Sequence, residues 1–165
     1  MARDTARFLS LLFVALALGP SLAHLLELLN KIGLPREEYF VVQQIYRGWA
    51  LLGLVVAGEL LSLSTLAILV RRHARELAPA LLALLCVVGA QVLFWAVTFP
   101  ANQATENWTV APQNWIVLRE RWEYSHAAAA VLNLVAFAAL VVGVLRKDEQ
   151  EALPQKRRKS PSTPP

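Results

Sequence analysis

Four unbroken apolar stretches restrict this chain more than any other feature. Each is close to the roughly 20 residues that a helix needs to cross about 30 Å of hydrocarbon. They run from about Phe8 to Leu29, Trp49 to Val70, Ala78 to Phe99 and Trp122 to Leu145 (8–29, 49–70, 78–99 and 122–145). Inside a bilayer every backbone N–H and C=O must be satisfied by the protein itself, so only helices and closed barrels span it. A barrel would need segments of about ten residues with alternating polarity, and the sequence has none. The expected fold class is therefore all-α, an integral membrane four-helix transmembrane bundle. Charged residues make up 17% of the chain, against about 25% in an ordinary soluble domain.

The charges lie between the apolar runs and in the tail, which argues against a nucleic-acid surface despite the net charge of +4. With the N-terminus inside, Arg3, Arg7, Arg71, Arg72, Arg75, Arg146, Lys147, Lys156, Arg157, Arg158 and Lys159 face the cytoplasm, and Lys31, Arg36, Arg47, Arg119 and Arg121 lie outside. That is eleven against five, the bias the positive-inside rule requires, and it places both termini in the cytoplasm. The domain reading is 1–146 for the bundle and 147–165 for a disordered, basic, Pro/Ser-rich tail. The Ala/Leu/Arg-rich composition suggests a bacterial source, hence an inner (plasma) membrane. Arg3 to Ala23 also resembles a signal peptide, with Ser21-Leu22-Ala23 as a cleavage site. The apolar run continues to Leu29, which a removed peptide does not need.

Breakers fit this layout. Gly33-Leu34-Pro35 follows span one, Pro79 is expected in the first turn of span three, Pro100 is expected to end it, and Pro20 is expected to kink span one. Cys86 sits in an apolar run and reads as a small interior residue.

The polar residues are distributed unevenly along the membrane normal. All five Trp and all three Tyr lie on the outer side or in the outer half. Within the spans, His24, Glu27, Glu59, Gln91, His126 and Asn133 follow the same bias. At about 1.5 Å per residue, His24 lies roughly 9 Å and His126 roughly 6 Å below the outer end. Glu59 lies roughly 18 Å in, and Gln91 and Asn133 roughly 12–17 Å. Ionisable groups at such depths belong in the bundle interior, so one polar pocket entered from the outer face and floored near Glu59 is expected. Glu59 has a simpler alternative, a hydrogen bond to Gln91 or Asn133. His24 and His126 could likewise be bonded interior histidines.

Trp115, Arg119, Trp122 and His126 follow spacings of four, three and four, which is one continuous helix face. An Arg between Trp rings can stack by cation–π contact, and such a face suits a flat or anionic ligand. Alternatively the Trp rings anchor the interface and Arg119 pairs with Glu120 or Glu123.

Asn102, the Trp115-x-x-x-Arg119-x-x-Trp122-x-x-x-His126 run, His24-Leu-Leu-Glu-Leu-Leu-Asn30-Lys and Gln43-Gln44-Ile-Tyr46-Arg47-Gly-Trp49 together resemble a four-span membrane family that includes anthrone oxygenases. The resemblance extends to about Arg146. It implies oxygen insertion into activated polycyclic phenols without a metal or flavin. Members often carry an Arg shortly after the position of His126, where this chain has Ala127 to Ala130.

On chemical grounds, a base that removes a proton from an anthrone-like molecule leaves a carbanion reactive toward O₂, and a histidine suits that step. His126 and His24 are the candidate bases. Glu27, Glu59, Gln91, Trp95, Asn102, Trp115, Arg119 and Trp122 are the candidate substrate-binding residues. The expected partners are a hydrophobic small molecule and membrane lipid, with no nucleic acid. No cofactor is required by this account. Two rivals remain: a non-catalytic lipid- or quinone-binding or accessory protein, and a metal or haem protein using the histidines and carboxylates. For the last, His24 and Glu27 share a face, but no strong ligand spacing is present. A transporter fits less well, because the inner half lacks a polar path and the chain lacks a carrier-like repeat.

Overall fold

In a computed structural model of the chain the backbone is described for residues 1–159 and the side chains for residues 1–146. The tail expected to be disordered, 147–165, lies outside the residues described in full. Among the described residues the chain is helical and has no strand. The elements are α1 (Ala2–Lys31), α2 (Arg36–Gln43), α3 (Leu52–Val70), α4 (Ala74–Leu93), α5 (Phe99–Ala104) and α6 (Trp115–Lys159).

Four helical stretches are long and apolar enough to cross a membrane: Ala2–Lys31, Trp49–Val70, Ala74–Ala104 and Trp115–Arg146. Only 22% to 33% of the most apolar window of each is buried inside the bundle. The rest of those windows, with Leu16, Leu54, Leu61 and Leu85 exposed, is apolar surface suited to contact with lipid. The protein is therefore an integral membrane helical bundle.

The bundle closes by packing α1 against α3 and α6, and α4 against α3 and α6. Its core is built from Val14, Leu63, Val70, Ala83, Val87, Ala136 and Leu140. Fully buried alanines on α4 and α6 let the backbones approach closely, which is how helices associate where lipid removes the hydrophobic incentive. Gly58 serves the same purpose between α1 and α3. A Cβ built there would lie 2.4 Å from the ring of Phe13. Gly58→Ala should therefore destabilise the bundle by about 1–3 kcal/mol, the usual range for overpacking. Unfolding in detergent micelles would measure it, and Phe13→Leu in the same chain should relieve most of the loss. Equal losses with and without Phe13 would show that the ring is not the obstacle.

Two expectations about proline need correcting. Pro100 does not end span three. Phe94–Thr98 is a π-helical segment, and the helix resumes as α5 with Pro100 in its first turn. The wider π turn shifts the hydrogen-bond register, so the residue without an N–H falls where a helix tolerates it. Pro79 lies beyond the first turn of α4, because that helix starts at Ala74 with polar Arg75 and Glu76 ahead of the apolar run. α1 passes Pro20 as one assigned helix, and the Ser21 hydroxyl donates to the Ala17 carbonyl at 2.9 Å.

At one end of the bundle Arg7 pairs with Glu76 and with Asp4 at 2.9 Å. This ties the start of α1 to the start of α4. At the opposite end α2 and two 3₁₀ turns, Gln44–Tyr46 and Trp49–Leu51, fold back over the ends of α1 and α6. Gly48 makes that return possible: its φ of +89° is a left-handed conformation that only glycine adopts freely.

Candidate functional site

The return segment builds the site. On α1, His24, Glu27 and Lys31 fall at i, i+3 and i+7 and so share a face. On α6, Trp115, Arg119, Trp122 and His126 form the face expected from their spacing, with Glu123 beside Trp122. On α2, Tyr39 and Gln43 are one turn apart and both are buried.

The centre is a histidine pair. The rings of His24 and His126 stack with centroids 4.1 Å apart and an interplanar angle of 22°. Trp122 closes one side, 4.2 Å from His126 and 5.1 Å from His24. Tyr46 at 4.6 Å and Trp49 at 5.4 Å also lie against His24, and Tyr46 in turn meets Trp122 at 5.5 Å. His24 is buried and its Nδ1 has no hydrogen-bond partner among the described residues.

Beside the pair runs a polar network. Lys31, only 3% exposed, donates to the Tyr46 hydroxyl at 2.5 Å. It lies 3.2 Å from Glu27 and 3.3 Å from Glu123, and its ammonium sits over the rings of Tyr46 and Trp122. Tyr46 donates to Glu27. Tyr39 donates to Glu123 at 2.9 Å and accepts from Gln43. Burial, reinforced by the neighbouring carboxylates, pushes both phenols up from their ordinary value: Glu123 acts on Tyr39, and Glu27 and Glu123 act on Tyr46. Both tyrosines are thus held as neutral hydrogen-bond donors and are unsuited to act as bases.

A lid of three left-handed residues covers the network. Glu106, Asn107 and Trp108 have φ of 47°, 55° and 64°. Trp108 is 3% exposed. Asn102 Oδ1 accepts from both Trp108 Nε1 at 3.1 Å and Trp122 Nε1 at 2.8 Å, and Gln44 donates to the Trp108 carbonyl at 3.0 Å.

Comparison with protein-family models, curated proteins and solved structures finds no match.

The site therefore rests on its own geometry. It brings together His24, His126, Glu27, Asn102, Trp115, Arg119 and Trp122 of the residues singled out in the sequence. Arg119 stacks over Trp115 at 4.7 Å, as its spacing suggests. It does not pair with Glu123, because its guanidinium donates to the Leu34 carbonyl at 2.8 Å. Three residues stand apart. Glu59 is buried, with Oε1 unpartnered among the described residues, and no hydrogen bond joins it to Gln91 or Asn133. Asn133 donates instead to Ser21 at 2.8 Å. Gln91 and Trp95 line an open groove of about 540 Å³ on the flank of the bundle, with Leu60, Val88, Val92 and Ala96.

Sequence reasoning missed Lys31, Tyr39, Gln43, Tyr46, Trp49 and Glu123 as site residues. The periodicity of Tyr39 and Gln43 on a short amphipathic helix was the available signal for two of them. Among the described residues no group of three or more His, Cys, Asp or Glu side chains is arranged to hold a metal ion.

Proposed function

We propose that this is a membrane enzyme that oxygenates a flat, hydrophobic aromatic molecule arriving through the lipid, with both termini in the cytoplasm and the histidine cluster toward the opposite face. The observation that carries the reading is the stacked His24–His126 pair, walled by Trp122, Tyr46 and Trp49. The tyrosines are held as phenols, Glu27 and Glu123 are engaged with Lys31, and His24 keeps an unpartnered ring nitrogen among aromatic walls. The imidazoles are therefore the groups best placed to take a proton from a bound molecule.

Deprotonation of an activated CH₂ leaves a carbanion that donates electrons to O₂. One oxygen atom becomes a carbonyl on that carbon and the other departs as water. Lys31 is the cation nearest to the ring walls, and with its ammonium already held by Tyr46, Glu27 and Glu123 it supports a developing oxyanion through its charge. The orientation rests on the excess of Lys and Arg on the side that carries the termini, and the likeness to anthrone oxygenases supplies the reaction class.

Oxygen uptake by the reconstituted protein with a panel of anthrones and quinols tests the reading. His24→Ala and His126→Ala should each reduce uptake to near the protein-free rate. Unchanged uptake in both variants would overturn it. The groove at Gln91 and Trp95 favours a second reading, a non-catalytic lipid or quinone binder. A quinone or lipid retained in mild detergent, with no oxygen uptake, would decide for that one.

A further inference from the structure

A single polar side chain interrupts an apolar seam on the outside of α4. Leu81, Val88 and Trp95 are seven residues apart, and Leu84 and Gln91 come three residues after Leu81 and Val88. These are the a and d positions of a heptad, which fall in one line along a helix. Leu81, Val88 and Trp95 are exposed, as are Leu85 and Val92 beside the line. Gln91 is the one polar member of the five. Its amide makes no hydrogen bond to the described residues. It lies nine residues inside Pro100, roughly 13 Å at about 1.5 Å per residue, well within hydrocarbon about 30 Å thick. Water is scarce at that depth, and an unmet amide there is costly.

The seam opens into a groove. Val88, Gln91, Val92, Trp95 and Ala96, with Leu60 of α3, line a volume of about 540 Å³. Trp95 and Ala96 belong to the π-helical turn Phe94–Thr98, a feature that recurs at functional sites. The rings that Trp95 meets, Phe94 and Phe99, lie on its own helical stretch, and its indole stays largely exposed.

The amide decides what fits against this face. It carries donors on its nitrogen and an acceptor on its oxygen. An acyl chain answers neither, and a quinone carbonyl answers only the donors. A second Gln91 answers both. Copies of one chain lie in a membrane with the same orientation. A two-fold axis along the membrane normal therefore sets two such seams parallel and brings each d-position side chain against its own counterpart at the same depth. Each amide then donates to the carbonyl of the other. Glutamine side chains that bond across helices hold them together where lipid removes the hydrophobic incentive.

We propose that the chain forms a parallel homodimer through α4 and the π turn that follows it, with the two Gln91 amides paired across the axis and Val88 and Trp95 packed on either side of them. The histidine cluster shares no residue with this face, so the inference goes beyond the oxygenase reading and does not rest on it.

Disulfide trapping of the full chain in vesicles of phosphatidylethanolamine and phosphatidylglycerol tests the geometry. Cys86→Ala removes the single native thiol. In that background Val88→Cys should cross-link to a dimer. Leu16→Cys should not, because Leu16 is exposed on α1, which packs on α3 and α6 as α4 does and so lies diagonal to it. Energy transfer between C-terminally labelled copies, diluted in lipid, reads the strength. Gln91→Leu should weaken the dimer about ten-fold, and Gln91→Asn, which keeps an amide, about three-fold or less. Monomers at every dilution, cross-linking from Leu16→Cys as readily as from Val88→Cys, or a dimer indifferent to Gln91→Leu would overturn the inference. Monomers that retain a quinone or lipid against Trp95 would overturn it as well and assign the groove to that ligand.

Discussion

Lys31→Met is expected to destabilise the protein by about 3–5 kcal/mol, the range for removing one partner of a buried ion pair. Lys31 is 3% exposed and its principal buried partner, Glu123, is 0% exposed. Its ammonium lies 3.3 Å from the Glu123 carboxylate. Methionine keeps most of the length and volume of the lysine, so the loss reports the charge rather than a cavity. It leaves Glu123 with a Tyr39 hydrogen bond and no cation. Adding Glu123→Gln removes the stranded charge and should restore most of the stability. Glu27→Gln should cost less than about 1 kcal/mol, because that side chain is 37% exposed and solvent screens its pair with Lys31. Reversible unfolding in detergent micelles reads all three. A Lys31→Met protein within about 1 kcal/mol of the parent would show that the pair contributes little and that Glu123 is satisfied in another way.

Lys31 also shows what the sequence hides. It closes span one and precedes a Gly-Leu-Pro break, so it reads as a charge at the water interface. What buries it is the return segment 36–51, which places Tyr46 over its ammonium. That contact bridges 15 residues through α2 and one 3₁₀ turn, and no short-range spacing announces it. Arg119 and Glu123 illustrate the same limit. Four residues apart on one helix, they look like an ion pair. Each instead reaches a partner more than 80 residues away, Leu34 for Arg119 and Tyr39 for Glu123.

Depth was more legible than direction. Counting residues from the ends of two spans placed His24 and His126 at similar depths, and their rings do stack. The same counting put Glu59, Gln91 and Asn133 in one layer, yet they occupy different surroundings. A helix that is apolar all round gives no signal of which face meets its neighbours. The face 115–126 was readable because polar and aromatic residues recur on it at helical spacing. The four spans were readable because length and hydropathy alone decide them.

Asn102→Ala should be the second most damaging substitution, with a loss of about 2–6 kcal/mol. One oxygen atom accepts from two indoles, so its removal strands the buried N–H groups of both Trp108 and Trp122. Each stranded donor costs about 1–3 kcal/mol. The three left-handed residues, Glu106 to Trp108, add strain of roughly 1–2 kcal/mol each that the Trp108 anchor now offsets. Without it the lid relaxes, Trp108 leaves its place against Tyr39, Phe40 and Trp122, and the emission of the protein moves to longer wavelength with stronger acrylamide quenching. Trp122 loses its fixed angle at the same time, and it touches both histidines. On the proposed oxygenase reading, oxygen uptake should therefore fall even under conditions where the variant remains folded. Asn102→Asp keeps an acceptor oxygen and should recover the Trp108 signal. Unchanged quenching and stability in Asn102→Ala would mean that the lid is held by its backbone contacts to Thr105 and Gln44, at 3.1 Å and 3.0 Å, without help from the amide.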